Sequence, residues 1–302
     1  MALGVVHTTR HVALPRPYDA PRLFAFLASR AIPGVESIQV DEQQWRYRRA
    51  LRLSRGSGLG EVHVAQGHAR LTARTLEAAD GEAALDALER VLDLAPTPSQ
   101  VDAELSRHAS VRSLIGERPG LRVPRAADRD EVAFRALIGQ QVSVAAASTT
   151  CGVIAEQYGE DLPLALQSSD VVRVWPRNAT IASLDPQLLR MPRAKATAVV
   201  TLATALRDGR VDLTQAPSTV REQLVSLRGI GPWTAGYVSM RACGDNDVLL
   251  DGDLIVRRGA ALIGFPETPR ALRAATDTLS PWRSYLTMHL WQVYAARTAK
   301  TV

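Results

Sequence analysis

Residues 224–237 read Leu-Val-Ser-Leu-Arg-Gly-Ile-Gly-Pro-Trp-Thr-Ala-Gly-Tyr, and this stretch decides how the rest of the chain is read. Thr219 and Glu222 stand at capping-box spacing before a short helix. Arg228-Gly229-Ile230-Gly231 then makes a tight turn. Pro232 suits the first position of a second helix, where the N–H it lacks would have no intrahelical partner. The pattern is a helix–hairpin–helix. Gly229 and Gly231 can adopt backbone angles closed to other residues, and they put no side chain in the way. A phosphate can therefore approach the free N–H groups at the start of the second helix, drawn also by the helix dipole. Such a contact grips a nucleic-acid backbone without reading its sequence. Taken alone, the tetrapeptide fits equally well a glycine-cornered turn between two core helices.

Downstream, residues 247–258 read Asp-Val-Leu-Leu-Asp-Gly-Asp-Leu-Ile-Val-Arg-Arg. The hydrophobic run delivers Asp251 and Asp253 to the start of another helix. Capping that helix is the ordinary task of an aspartate at such a place. Trp233 and Tyr237, four residues apart, share one helix face. Ser280 and Pro281 supply a cap and a first position for a final helix that Trp282 opens. Upstream, residues 134–144 read Phe-Arg-Ala-Leu-Ile-Gly-Gln-Gln-Val-Ser-Val, a helix broken at Gly139-Gln140-Gln141. Aromatic side chains most often fill cores. Trp291 and Tyr294 are assigned to the core on that ground, and His289 is read as a satisfied core or edge histidine.

Together these segments resemble the helix–hairpin–helix DNA glycosylases, and within them the AlkA-type 3-methyladenine DNA glycosylase II family. The resemblance spans nearly the whole chain. It rests further on Arg-Pro-Tyr-Asp at 16–19 running through Arg30-Ala31, on Arg-Pro-Gly-Leu-Arg-Val-Pro at 118–124, and on Pro-Trp-Arg-Ser-Tyr at 281–285. The family implies an α+β fold. An N-terminal antiparallel sheet domain with helices, at about 1–105, is followed by a mostly α-helical glycosylase region at 106–302, in two subdomains around a DNA cleft. It also implies that Asp253 is catalytic. Asp251 is its rival, but Asp-x-x-x-Arg with a helix following fits the family's register at Asp253. One of Arg257 and Arg258 is expected to pair with an acidic residue and the other to meet phosphate.

The resemblance further implies a monofunctional enzyme that flips an alkylated base such as 3-methyladenine from duplex DNA and hydrolyses its bond to the sugar. Trp233, Tyr237 and Trp282 would surround the flipped base. Electron-rich rings attract a purine made cationic by alkylation, by ~0.5–2 kcal/mol each. Gly229, Gly231 and Thr234 would meet the DNA backbone. Gln141 would fill the gap left in the base stack, with Gln140 and Ser143 having the alternative task of satisfying backbone groups at the turn. Some relatives use a lysine nucleophile at the slot held here by Trp233. Lysine occurs in this chain only at positions 195 and 300, so Schiff-base chemistry is not expected. Competing readings are a same-fold glycosylase for deaminated or oxidised bases, a non-catalytic damage-binding protein, and a DNA-binding scaffold without chemistry. No cofactor is expected beyond a possible monovalent cation at the hairpin, and no metal.

Composition agrees with this reading without proving it. The 302 residues carry a net charge of +5 and are 46% hydrophobic, enough to bury a core and compatible with nucleic acid as a partner. Two cysteines, Cys151 and Cys243, are too few for a zinc or iron–sulfur site and are read as reduced thiols. They also argue against a fused alkyl-transfer domain with zinc-bound cysteines. With no long apolar run and no leader pattern, a cytoplasmic monomer, nucleoid-associated when bound to DNA, is expected. Periodicity predicts helices at 18–31 and 80–92 around strands at 37–40, 45–53, 60–65 and 69–72, with Gly56-Ser57-Gly58 as a turn. It then predicts helices at 130–138, 143–158, 192–206, 219–227, 232–242, 254–262, 269–279 and 281–297.

Overall fold

A computed structural model of the chain describes residues 4–299. Its first part is a five-stranded antiparallel sheet made of β1 (Val6–Ala13), β2 (Glu36–Asp41), β3 (Gln44–Arg52), β4 (Ser57–Ala65) and β5 (His68–Thr75), in the order β1-β5-β4-β3-β2. On β5 the residues alternate between buried and more exposed, so Ala69, Leu71 and Ala73 face inward. Helices α1 (Ala20–Ala28) and α2 (Gly81–Leu92) pack on that face, with Phe24, Tyr47, Leu71, Leu85 and Leu88 in one core. The expected turn at 56–58 falls partly inside a strand, since β4 begins at Ser57.

The remainder is helical: α3 (Pro98–Leu105), α4 (Ala109–Glu117), α5 (Arg129–Ile138), α6 (Val144–Tyr158), α7 (Asn178–Ala182), α8 (Arg193–Arg207), α9 (Pro217–Val225), α10 (Pro232–Ala242), α11 (Leu254–Ala261), α12 (Pro269–Ala275) and α13 (Arg283–Ala299). Helix α10 stands between two cores. Its Ala235 and Val238 join Phe134, Ile154 and Leu202 from α5, α6 and α8. Its Met240 joins Val256, Leu286 and Leu290 from α11 and α13. Helices α3 and α4 also belong to the second core, through Val101, Leu105, Val111 and Ile115. Among the described residues no helix is long and apolar enough to cross a membrane.

Two buried polar networks tie these parts together. Glu36 of β2 and Glu131 of α5 both bind the Arg49 and Arg135 guanidiniums, with Arg49 only 3% exposed. In the second, the Asp93 carboxylate accepts from Arg125 Nε (2.7 Å), the Val123 N–H (3.1 Å) and the Tyr285 hydroxyl (3.0 Å), and pairs ionically with Arg122, whose Nη2 stands 3.1 Å away. Removing one member of such a network leaves a buried charge short of partners, so the links fix how the sheet meets the helices. Arg122 of the 118–124 segment and Tyr285 of the 281–285 segment meet here.

Three helix starts lie two residues from the sequence expectation, the first being α1, which begins at Ala20 after its Asp19 cap. Pro217, not Thr219, opens α9, and Thr219 sits inside its first turn. The last helix begins at Arg283. Ser280 caps nothing and donates instead to the Asp247 carboxylate.

Candidate active site

The hairpin lies between α9 and α10, with Arg228, Gly229, Gly231 and Pro232 exposed. Gly229 has φ +94, and a Cβ there would come 2.7 Å from the Ala198 methyl of α8. Glycine is therefore required by conformation and by packing. Gly231 differs from expectation: its φ of −96 is open to any residue. What its missing Cβ supplies is clear space, with nothing within 4 Å. No side chain caps α10, so its first N–H groups face outward unpaired, as an anion site requires.

Thr234 lies in the first turn of α10 but is 2% exposed, and its hydroxyl accepts from the Gln140 amide at 2.7 Å. Its side chain thus joins the hairpin to the 139–141 turn and does not face solvent. Gln141 is exposed at φ +58, a left-handed conformation that projects it from that turn. Ser143 caps α6 by accepting from the Ala146 N–H.

Behind the hairpin a cavity of about 540 Å³ opens between the two helical cores. Trp233, Tyr237, Trp291 and Phe26 line its apolar side. The Trp233 and Tyr237 rings stack at 5.5 Å and 18°, and Phe26 stacks on Trp291 at 6.3 Å and 24°. Asp253 lies at the same cavity. Its Oδ1 accepts from the N–H groups of Ile255 (2.7 Å) and Val256 (3.2 Å), so it does cap α11. Its Oδ2 accepts from Trp233 Nε1 at 3.0 Å. Capping and facing the cavity are therefore one arrangement: the cap holds one oxygen and aims the other. Gly259 of α11 makes this possible by lying against the Leu290 backbone, where a Cβ would meet the carbonyl oxygen at 2.2 Å. The rival Asp251 is bound to Arg273 and lies outside the cavity lining.

The far wall is cationic, with Arg30 and Arg135 in the lining and Arg241 behind Tyr237. Arg30 rests over the Phe26 ring at 3.7 Å, and Arg241 donates to the Tyr237 hydroxyl at 2.7 Å. Burial raises the Tyr237 pKa, but the guanidiniums of Arg241, Arg30 and Arg135 outweigh it and the net shift is downward. Cys151, also in the lining, has its thiol pushed up to about 12 by burial, which leaves it protonated and unreactive.

The family model for the AlkA N-terminal domain matches residues 9–128. A relative from Escherichia coli, DNA-3-methyladenine glycosylase 2, is 33% identical over 286 residues, which cover 91% of this chain and 94% of the relative. The chain belongs to the AlkA family. The probable bifunctional transcriptional activator/DNA repair enzyme AlkA of Mycobacterium tuberculosis is 35% identical over 93% of the chain, and the chain spans 56% of that relative's length. Among solved structures, the 3-methyladenine DNA-glycosylase from Archaeoglobus fulgidus superposes with a TM-score of 0.79 at 20% identity, covering 95% of this chain and 98% of that one. It shares the fold.

In this member of the AlkA family the aromatic set differs from the sequence expectation at one position. Trp282 is not at the cavity. It lies in the turn before α13, edge-on to Tyr285 at 6.1 Å, and lines a separate depression with Glu104, Arg107 and His108. Trp291, assigned to the core, takes its place. Trp282 precedes α13, whereas Trp291 lies more than two turns inside it, on the face that meets the cavity. The spacing of Met288, Trp291, Gln292 and Ala295, all in the lining, was the available signal: a polar Gln292 on a tryptophan's stripe marks a face that is not sealed core. Tyr294 is half-buried at the surface, where its hydroxyl accepts from Arg258 at 3.0 Å. Arg258 thus rests on a tyrosine, not a carboxylate, and the Arg257 Nε is buried with no partner. His289 is buried, but not satisfied: neither ring nitrogen has a hydrogen-bond partner, and burial, with Arg118 and Arg22 nearby, pushes its pKa down to about 3. Of the two lysines, Lys300 lies outside the described residues.

Proposed function

We propose that the protein is a monofunctional DNA glycosylase that flips an alkylated base such as 3-methyladenine out of duplex DNA and hydrolyses its N-glycosidic bond, opening base excision repair. The observation that carries the reading is the Asp253 carboxylate, held by two helix N–H groups and the Trp233 indole at an aromatic cavity. Departure of the base leaves positive charge on the sugar. A fixed carboxylate stabilises that charge and accepts the proton of the attacking water. The C–N bond breaks with its electron pair going to the base, which a prior alkylation has already made a good leaving group. Trp233, Tyr237 and Trp291 receive the electron-poor ring. The E. coli relative's name, DNA-3-methyladenine glycosylase 2, supports the same substrate class.

The partner in this proposal is double-stranded DNA containing a damaged base, bound by a monomer in a salt-sensitive, sequence-independent way. The free N–H groups at α10 support the phosphate contact. A monovalent cation between hairpin and phosphate would be held by backbone carbonyls. Those of Leu227 and Gly229 each accept one hydrogen bond, from the Ile230 N–H and the Gln140 amide, and each keeps a second lone pair.

One observation favours a second reading. The Arg30 side chain, in the cavity lining, binds only neutral partners, the Phe26 carbonyl and the Ser29 hydroxyl. That donor-rich wall suits a base carrying a carbonyl oxygen, such as deaminated adenine. Release of free base from methylated and from deaminated duplexes ranks the two readings. Borohydride trapping should yield no covalent protein–DNA adduct; a trapped adduct would overturn the monofunctional assignment.

A further inference from the structure

Three elements that the sequence treats separately meet beside the hairpin. The Gln140 side-chain amide donates to the Thr234 hydroxyl at 2.7 Å and to the Gly229 carbonyl at 3.2 Å. The backbone carbonyl of the same Gln140 accepts from the Lys195 ammonium, which also donates to the Ile138 carbonyl at 3.1 Å. Ile138 is the last residue of α5, so Lys195 sits where a cation best complements a helix's free carbonyls. Lys195 belongs to α8, and so does Ala198, the residue that lies directly under Gly229. One helix therefore supports both loops, and Gln140 joins them to each other. Gln141, exposed in its left-handed conformation, is the next residue.

We infer that Gln140 and Lys195 are positioning residues that couple the phosphate-gripping hairpin to the base-extruding turn. This rests on the glycosylase reading above. The coupling has a mechanical sense. A phosphate held by the hairpin sets the position of the duplex, and the Gln140 link sets the distance from that phosphate to Gln141. Extruding a base costs unpairing and unstacking energy. A plug that enters the stack at a fixed position offsets that cost, whereas a turn free to recede does not. Neither Gln140 nor Lys195 is in the cavity lining, so the reacting groups are untouched when either is changed.

The test uses Gln140→Leu and Lys195→Met, which keep side-chain bulk and remove the hydrogen bonds, with Lys195→Arg as the conservative variant. Each is assayed by single-turnover base release from a duplex containing one 7-methylguanine paired with cytosine, and from the same duplex with the lesion opposite an abasic site. Flipping is read separately by the fluorescence of a 2-aminopurine next to the lesion, and hairpin function by binding to undamaged duplex. The loss of two neutral, partly exposed hydrogen bonds in Gln140→Leu predicts a fall of about threefold to tenfold in flipping and in release from the paired duplex, and the loss of charge-assisted bonds in Lys195→Met a fall of about tenfold to a hundredfold. Binding to undamaged DNA should change little, and the defect should shrink several-fold on the unpaired lesion, where less extrusion work is needed. Lys195→Arg should recover most of the loss. An equal defect on both substrates, or no defect in flipping, overturns the coupling. Absence of base release by the unmodified protein would overturn the alkylated-base reading instead, and the flipping signal would still decide the coupling.

Discussion

Gly229→Ala is the sharpest perturbation of the hairpin, because two independent costs can be read from one position. An L-residue at φ +94 is strained, by about 1–2 kcal/mol for a left-handed backbone. The new methyl would also stand 2.7 Å from the Ala198 methyl, far inside the optimum of about 3.5–4.0 Å between carbons. Overpacking of this kind costs about 1–3 kcal/mol. The sum, about 2–5 kcal/mol, is a large share of the stability of about 5–15 kcal/mol typical of a folded protein. Ala198→Gly removes the clash but leaves the backbone strain, and adds about 1 kcal/mol for glycine inside a helix. A double-mutant cycle by urea unfolding should therefore show the pair less destabilised than the sum of the singles, by about 1–3 kcal/mol. In parallel, anisotropy titrations of duplex DNA over a range of salt should show Gly229→Ala binding more weakly. Its log–log salt slope should change little, because neutral backbone N–H groups make the lost contact and the charges that release counterions are untouched. Additive costs in the cycle, or unchanged DNA binding, would refute the account of why glycine stands there.

Three other predictions follow from buried or cavity-lining side chains. Tyr285→Phe removes the hydroxyl that donates to Asp93 at 3.0 Å and should cost about 1–2 kcal/mol in urea unfolding, since Asp93 keeps its two arginines; a neutral outcome would mean the network does not depend on it. The buried His289 has a folded-state pKa of about 3, below its ordinary 6.5, so between these values the unfolded chain binds the extra proton. Stability should then fall on acidification by about 1.4 kcal/mol per pH unit below 6.5, and His289→Leu should flatten that slope; an unchanged slope would place the acid sensitivity elsewhere. Trp291→Ala should lower base release at least about tenfold through loss of an aromatic wall, whereas Trp282→Ala should leave kcat/KM within about threefold; equal losses would contradict the placement of the two rings.

Much of this architecture is legible in the sequence. The bounds of α10 at Pro232–Ala242 match the expectation because Gly231-Pro232 is a strong local start signal. Asp253 was legible for the same reason: a hydrophobic run followed by an aspartate marks a helix start. Strand β1 was not, because Val-His-Thr-Thr-Arg-His-Val-Ala carries no apolar alternation. It pairs with β5 through backbone groups, as the last strand at one edge of the sheet. The confusion of Trp282 with Trp291 has a geometric origin. The two tryptophans are close in sequence, but which of them faces the cavity depends on where α13 begins and how it crosses α11, which it meets backbone to backbone at Gly259. The Gln140 link was invisible for a simpler reason: it joins residues 94 apart, and no local pattern encodes that meeting. Cavity-lining Arg30 and Phe26 lie on or just after α1, a helix whose periodicity pointed to the sheet core alone.

The central claim is that a carboxylate aimed by the start of α11 and by Trp233 cleaves the base–sugar bond. The most direct test compares the unmodified protein with Asp253→Asn, measuring release of free base from methylated duplex DNA alongside binding to the same duplex. The account predicts release of 3-methyladenine by the unmodified protein. It predicts loss of release by about a hundredfold or more in the variant, the scale of one electrostatic stabiliser removed, with binding retained. Release by Asp253→Asn at the unmodified rate would contradict it.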